Sequence, residues 1–325
     1  MILADLGAEV VKIERPGVGD DTRSWGPPWV GDESSYFLSV NRNKKSVTLD
    51  LREREDLESA RELVRNADVV VQNFLPGTMD RLGLGYDAAV GGLMSITGPD
   101  PKTPTKVGVA VVDVITGLHA SGGILAALRH RDRTGEGQHV EVNLLSSLLS
   151  ALANQSSGYV AAGVVPQAMG NRHPSIAPYE VFDTADRPLV LAVGNDRQFS
   201  SLTEVLGVSE LAADARFASN SDRVAHREEL FDAVTAALAK GSADSWFEAL
   251  TERGVPCGPL NDIADAIALA ERLNLDPVVS IDDPRRDAPT RQVANPIRMS
   301  GTPATYRSAP PRLGEDSVPT PSGVS

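Results

Sequence analysis

The sequence predicts an α/β fold, with a doubly wound (Rossmann-like) large domain and a smaller α+β domain. In its N-terminal part, apolar strand patterns alternate with a helical pattern, at residues 9–13, 46–51, 53–66 and 68–72. Such βαβ units build parallel sheets that bind ligands at the carboxyl ends of their strands. Further along, a β-hairpin pattern is followed by three helical patterns, which predicts a second domain of α+β type.

The bulk composition indicates a globular protein that is large enough for one large or two ordinary domains. The chain has 325 residues, is 41% hydrophobic and 23% charged, and carries a formal net charge of −13. This charge disfavours nucleic acid and anionic membranes as partners. We expect no apolar run of the roughly 20 residues that span a bilayer, and no signal peptide. Cys257 is the single cysteine, so no internal disulfide forms. A cytoplasmic location is predicted.

Polar clusters border the predicted strands of the large domain. Arg15 follows the strand at 9–13, and the run Asn41-Arg42-Asn43-Lys44-Lys45 precedes the strand at 46–51. Three cations and two amides at a strand entrance can hold a phosphate group, but they also suit a solvated turn. The continuous apolar strand at 68–72 is of the buried parallel kind and ends at Asn73.

The stretch at 107–143 begins as an apolar run that contains one carboxylate, Asp113, and continues as a helix rich in glycine and alanine. The helix has a basic end, and a Thr-Gly-Glu-Gly turn leads into a predicted strand at 139–144. Asp113 is either the N-cap of this helix or a working carboxylate. From the residues alone the N-cap is favoured, because Asp is a common helix N-cap.

The second half of the chain predicts the smaller domain. We expect a helix at 144–160, hairpin strands at 179–183 and 188–193, helices at 196–206, 223–238 and 243–252, and a last hairpin at 285–299. The predicted domains are a large domain at 1–165, a linker at 166–177, a small domain at 178–270, a segment returning to the large domain at 271–312, and a tail at 313–325.

Several common kinds of active site have no signature in the sequence. The five histidines and the cysteine lack zinc-ligand spacing. There is no Gly-x-Ser-x-Gly elbow and no Gly-x-Gly-x-x-Gly fingerprint of a dinucleotide site. No metal site and no nicotinamide cofactor are therefore expected, and the best nucleophile is a carboxylate.

The stretch around Asp113 resembles the family III CoA-transferases, the group of formyl-CoA transferase and carnitine CoA-transferase. In that family an apolar run ends in Asp, followed by a Gly/Ala helix and then by Thr-Gly-Arg/Glu-Gly-Gln-His/Lys-Val, as at residues 134–140 here. The resemblance extends from Met1 to about Glu315. It implies an interlocked homodimer that moves CoA between an acyl-CoA thioester and a small carboxylic acid. Coenzyme A is then a substrate, with no permanently bound cofactor, and Asp113 is the nucleophile that forms a covalent aspartyl intermediate.

The resemblance also implies the other site residues. The positions that match the family's CoA-binding residues are Arg15, Asn41, Arg42, Asn43, Asn73, Phe74, Leu75 and Arg81. Tyr86 and Asp87 match either a structural pair of the family or a pair that lines its active site. Gly170, Asn171 and His173 match a loop that closes over the reacting acyl group, although a plain linker turn is an equal alternative for His173.

The chain departs from the family pattern in ways that allow two other functions. It looks shortened at the N-terminus and internally after Asp87, which predicts lower stability than that of a full-length relative. One alternative is an α-methylacyl-CoA racemase, but that pattern has His where Tyr86 stands. The other alternative is an inactive truncated paralogue that binds CoA or only forms a dimer.

Overall fold

The computed structural model of the protein describes residues 1–73, 91–286 and 288–319. The strands are β1 Val10–Glu14, β2 Trp29–Val30, β3 Glu33–Ser34, β4 Lys44–Thr48, β5 Tyr179–Phe182, β6 Leu189–Ala192, β7 Cys257–Pro259, β8 Val278–Ile281 and β9 Thr290–Val293. The α-helices are α1 Ile2–Asp5, α2 Ser35–Asn41, α3 Arg54–Asn66, α4 Leu93–Ile96, α5 Val111–Thr134, α6 Leu144–Ala151, α7 Ala153–Ala162, α8 Asp196–Val205, α9 Glu210–Ala213, α10 Asn220–Ala225, α11 Arg227–Leu238, α12 Ala243–Glu252 and α13 Ile263–Arg272.

The chain forms two compact units. The first unit consists of Met1–Pro76, Ser121–Gln138 and Ile263–Ser325, and the second of Gly77–Ala120 and His139–Asp262. The domain limits at residues 165, 177, 270 and 312 stay predictions.

The first unit is built on a parallel pair of strands. β1 pairs with β4 from Val10 opposite Lys44 to Glu14 opposite Thr48. The helix predicted at 53–66 is confirmed as α3, whose apolar residues lie on one face because they recur at helical spacing. Ala60 of this face packs with Val47 and Leu49 in a small core. The local apolar pattern therefore determines which face of these strands and of this helix is buried.

The C-terminal segment returns to these first strands. β8 and β9 form an antiparallel hairpin, which begins earlier in the chain than the predicted hairpin at 285–299. Beyond it, the Asn43 N–H donates to the Ser308 carbonyl at 3.1 Å, and the Asp316 N–H donates to the Ser46 carbonyl at 3.0 Å. The Gly314 N–H donates to Ser46 Oγ at 3.0 Å. These bonds join the two ends of the sequence within one unit.

The second unit contains the larger core. The predicted hairpin is confirmed as β5 and β6, and β7 pairs antiparallel with β6. Helices α8, α11 and α12 bury their apolar sides against this sheet, where Phe182, Leu191, Leu202 and Leu238 are fully buried. Alternating residues of the strands and every third or fourth residue of the helices supply this core.

Two predicted strands are not present. Residues 68–72 and 139–144 lie in no strand, and Val69, Val70 and Val71 are exposed. An apolar run forms a parallel strand only when other strands satisfy its backbone groups, and the described residues provide no such neighbour here. The prediction of strands at these positions is therefore wrong.

Helix α5 spans 24 residues, Val111–Thr134, and is largely apolar before its basic end. Among the described residues it is long and apolar enough, by length and composition, to cross a membrane, so the expectation that no segment reaches that length is wrong. Core helices of soluble proteins pass the same test, and one such helix is weak evidence for a membrane span. Val114, Leu118 and Leu125 of this helix are each more than half exposed in the single chain.

Candidate active site

Arg15 lies where the sequence places it, directly after β1. Its side chain is largely exposed and donates to Asp21 Oδ1 at 2.7 Å. The neighbouring Glu14 is buried and accepts hydrogen bonds from Arg23 and Ser46. Arg15 is thus an accessible cation at the carboxyl end of a parallel strand, the position at which α/β sheets bind ligands.

Arg42 and Asn43 are used within the protein. The Arg42 side chain is 1% exposed and donates to Asp5 through Nε at 3.0 Å and Nη2 at 2.8 Å. Asn43 Nδ2 donates to the same carboxylate at 2.9 Å and to the Thr305 carbonyl at 2.7 Å. The contacts give both side chains a positioning role between the N-terminal strands and the return segment. Their contact with CoA stays a prediction.

Asn41 and Lys44 form the next part of this cluster. Asn41 is buried, donates to the Phe37 carbonyl at 2.8 Å and accepts from Lys44 Nζ at 2.9 Å. Burial, together with the nearby charge of Lys12, lowers the pKa of Lys44 to about 8. A lysine in this state is a ready partner for an anion, because an anion restores the stability of its charged form.

The remaining predicted CoA residues lie at or beyond the end of a described range. Asn73 is exposed and in no regular element. Phe74, Leu75, Arg81, Tyr86 and Asp87 lie outside the described residues. Their predicted roles therefore rest on the sequence.

Asp113 is in the first turn of α5. The helix begins at Val111, and its first backbone bond runs from the Val114 N–H to the Ala110 carbonyl at 3.2 Å. Ala110 therefore occupies the N-cap position, and the N-cap interpretation of Asp113 is wrong. The Asp113 side chain is exposed, and its carboxylate has no hydrogen-bond or ion-pair partner among the residues that the structure describes. It is a carboxylate held at the positive end of a helix and open to a reactant.

The loop at 168–173 is anchored in the second unit, to which Asp113 also belongs. The Gly170 N–H donates to the Gly98 carbonyl at 2.9 Å, and Gly170 has φ of 66°, a conformation that favours glycine. Asn171 is exposed, and the His173 N–H donates to the Tyr179 carbonyl at 3.0 Å. Arg15, Asn41, Arg42, Asn43 and Asn73 belong to the first unit.

His173 is fixed on both sides. Its ring stacks on Tyr179 with centroids 5.1 Å apart, and its Nδ1 accepts the Ser175 N–H at 3.1 Å. Burial and the charge of Arg227 lower the pKa of His173. Both effects favour the neutral ring. Because Nδ1 accepts the Ser175 N–H, the proton of the neutral ring lies on Nε2, which is then a hydrogen-bond donor.

The sequence did not predict a role for Arg172, which lies between the predicted loop residues Asn171 and His173. It lines a cavity of about 510 Å³ with Pro99, Asp100, Met169, Glu180 and Phe231. The run Gly-Asn-Arg-His-Pro shows a cation at this position, but one of its partners, Glu228, lies 56 residues away. Within the described ranges no cluster of three or more His, Cys, Asp or Glu side chains is suited to a metal ion.

Comparison with known proteins identifies the family. The sequence model of CoA-transferase family III matches residues 1–90 and 87–317. The chain belongs to the family III CoA-transferases. It is accordingly a CoA-transferring enzyme that acts on an acyl-CoA and a carboxylic acid, with CoA thioesters as substrates.

Relatives with known activities agree with this membership. The chain is 37% identical to succinyl-CoA:glutarate CoA-transferase of Mus musculus, over 97% of the chain and 80% of the relative. It is 38% identical to succinate–glutarate CoA-transferase of Agrobacterium fabrum, over 97% of the chain and 88% of the relative. Acetyl-CoA:oxalate CoA-transferase of Acetobacter aceti is 37% identical, with coverages of 97% and 88%. None of these comparisons favours the racemase or the inactive paralogue.

Solved structures confirm the predicted fold class. A CAIB/BAIF family protein from Brucella suis superposes with a TM-score of 0.78 at 37% identity, covering 97% of this chain and 91% of that one. A Mycobacterium tuberculosis protein superposes with a TM-score of 0.80 at 26% identity and the same coverages. The mixed helices and strands of the chain are thus those of the family III α/β fold.

The comparisons also bear on the shortening of the chain. The alignment with the mouse enzyme has 349 positions, which exceeds the 325 residues of the chain, so that relative contains residues that the chain lacks. The two matched segments of the family model meet at residues 87–90. The sequence predicts the internal shortening at this same place.

Proposed function

We propose that the protein moves CoA from an acyl-CoA thioester to a dicarboxylic acid through covalent intermediates on Asp113. The single observation that carries this proposal is the position of Asp113, an exposed carboxylate in the first turn of α5 with no partner among the described residues. The acids in the names of the relatives, succinate, glutarate and oxalate, are dicarboxylates. These names support the same class of substrate here.

The reaction has four balanced steps. The Asp113 carboxylate attacks the thioester carbonyl, which gives a mixed anhydride and releases CoA as its thiolate. The thiolate attacks the Asp113 carbonyl, which forms aspartyl-CoA and releases the donor acid as a carboxylate. The acceptor carboxylate then attacks aspartyl-CoA, which forms a second anhydride and again frees the thiolate. Attack of that thiolate on the acceptor's carbonyl gives the new acyl-CoA and restores Asp113.

Each intermediate requires hydrogen-bond donors and exclusion of water. Backbone N–H groups near glycines can approach a developing oxyanion closely, and Gly170 and Asn171 lie in the loop proposed for this task. The His173 Nε2 proton adds a donor that does not change the charge of the site. Water must be kept away because it hydrolyses an anhydride.

The test compares two acids of the same helix. Asp113→Asn should reduce CoA transfer from succinyl-CoA to glutarate at least about a thousandfold, because the amide cannot attack the thioester, while CoA binding persists. Asp132→Asn is the matched control, since Asp132 is an exposed acid near the other end of α5. Hydroxylamine added during turnover should leave a hydroxamate on the peptide that contains Asp113. Full activity of Asp113→Asn, or a hydroxamate only on another acid, refutes the assignment.

We also propose that the active form is a homodimer. Val114, Leu118 and Leu125 expose apolar surface along one helix, and among the described residues nothing lies within 4 Å of a Cβ added at Gly122. Apolar patches of this kind mark protein interfaces. Sedimentation over a range of concentrations should give twice the chain mass, and a monomer at every concentration would contradict the proposal. The cytoplasmic location stays a prediction that cell fractionation tests.

A further inference from the structure

The cavity beside the loop at 168–173 is lined by one cationic side chain, that of Arg172. Its walls come from the turn at Pro99, from Met169 and from the ring of Phe231, with the Arg172 guanidinium 5.6 Å from the ring centroid. The lining therefore combines apolar surface with one cation and two acids. Asp100 accepts the Lys102 N–H at 2.7 Å, and Glu180 pairs with Arg172. The apolar walls suit a short hydrocarbon chain, and the guanidinium suits a carboxylate at the end of that chain.

The three nitrogen atoms of Arg172 are divided between two acids of very different exposure. Nε donates to Glu180 Oε2 at 3.1 Å, and the Glu180 side chain is 5% exposed. The two terminal nitrogens form a fork on Glu228, with Nη2 2.9 Å from Oε2 and Nη1 on the other oxygen. The Glu228 side chain is 70% exposed. The guanidinium fork thus holds a carboxylate that is free to leave it.

We propose that Arg172 binds the second carboxylate of a dicarboxylic substrate, and that Glu228 occupies the guanidinium fork until the substrate displaces it. This inference rests on the proposed function, because it assigns the group that recognises the non-reacting end of the acceptor or donor acid. A carboxylate of the substrate makes the same two parallel hydrogen bonds that Glu228 makes now. Glu228 then acts as an internal competitor.

The surroundings of Arg172 favour an exchange of carboxylates at the fork. An exposed ion pair contributes little to stability, so release of Glu228 into water costs the fold little. Glu180 has the opposite role, because a buried acid that loses its cation is left unpaired. Glu180 and Phe231 therefore keep the guanidinium in place while the carboxylate on its fork changes.

The chain contains a matched control for this arrangement. Arg216 also bridges two acids, Asp214 and Glu229, and Glu229 follows Glu228 directly in sequence. Arg216 is not among the residues that line the cavity. Substitutions at Arg216 and Glu229 therefore change the same kind of ion pair without changing the cavity.

The experiment is a calorimetric titration of the full chain with glutarate and with glutarate monoamide, which keeps the shape but has one carboxylate. Arg172→Gln should weaken glutarate binding about 10- to 100-fold and leave monoamide binding nearly unchanged. Glu228→Gln should tighten glutarate binding up to about fivefold, because it weakens the competitor. Arg216→Gln and Glu229→Gln should leave both ligands unaffected.

The outcomes separate this inference from the proposed function. If Arg172 only supports the loop, Glu228→Gln loosens the loop and does not tighten glutarate binding, which overturns the inference even where Arg172→Gln fails to fold. Lack of glutarate binding by both the wild type and Glu228→Gln overturns it as well. A chain that binds glutarate through Arg172 but transfers no CoA refutes the proposed function alone. A chain that transfers CoA with unchanged glutarate affinity in Arg172→Gln refutes the inference alone.

Discussion

Substitution of Arg42 decides whether this residue holds the fold together or holds CoA. The Arg42 guanidinium is 1% exposed and reaches Asp5, Gln292 Oε1 at 3.1 Å and the Val293 carbonyl at 2.7 Å. Arg42→Met keeps most of the side-chain volume and removes every one of these donors. Among the described residues, the buried Asp5 carboxylate then keeps its bonds from Asn43 and Asn295, at 2.9 and 3.1 Å.

The expected loss of stability is large because Asp5 is 0% exposed. Removal of one partner from a buried ion pair costs about 3–5 kcal/mol, and the acceptors at Gln292 and Val293 also lose a donor. The double variant Asp5→Asn/Arg42→Met removes the unpaired charge as well. It should recover most of the loss, since replacement of a whole buried pair is often close to neutral.

Urea unfolding combined with hydrogen exchange measures this effect within the first unit. Peptides covering β1 and β9 should exchange faster in Arg42→Met and regain protection in the double variant. A loss below about 1 kcal/mol, the range of exposed ion pairs, would refute the reasoning. If such a stable variant also failed to bind CoA, Arg42 would be a CoA ligand, as the resemblance implies.

Three further results are expected. Burial alone would raise the pKa of Glu14, but hydrogen bonds from Arg23, Ser46 and the Asp20 N–H outweigh it and lower that pKa below 4.5. The stability that Glu14 confers is thus present above about pH 5 and is lost as the pH falls through the lowered pKa. The unfolding free energy of Glu14→Gln should therefore fall less steeply with acid than that of the wild type. Arg15→Ala should weaken CoA binding more at low salt than at high salt, because the charge of Arg15 is exposed. An affinity for CoA equal to that of the wild type would contradict this role of Arg15. Leu202→Ala should cost about 2–5 kcal/mol of unfolding free energy, whereas the exposed Val160→Ala should stay within about 0.5 kcal/mol.

The parts of the fold that local periodicity specifies could be predicted from sequence. Helix α3 and the β5–β6 hairpin fall within a residue or two of the predicted limits, because apolar spacing sets which face of each element is buried. The strand patterns at 68–72 and 139–144 have the same apolar character and form no strand. Whether an apolar run becomes a strand depends on neighbours that the run itself does not encode.

Site residues could be predicted only where a single position stands out in the local sequence. Asp113 stands out as the one acid of an apolar run, but its place in the third helical position depends on the start of α5 at Val111. The partners of Arg42 lie 37, 250 and 251 residues away, so no short window of sequence shows them. The same holds for Arg172, whose fork is filled by Glu228, 56 residues further on.

The return segment has a consequence for how the protein is made. Ser46 accepts a hydrogen bond from Gly314, which is 268 residues further along the chain. At ordinary translation rates this separation corresponds to about 13–54 s, during which β1 and β4 emerge without the residues that later bond to them. A nascent chain that stops before residue 305 lacks the Thr305 carbonyl that accepts from Asn43. It also lacks Asp316, which bonds to Ser46 of β4. The last residues made therefore complete the first strands made, and an interrupted product should be left open to proteolysis.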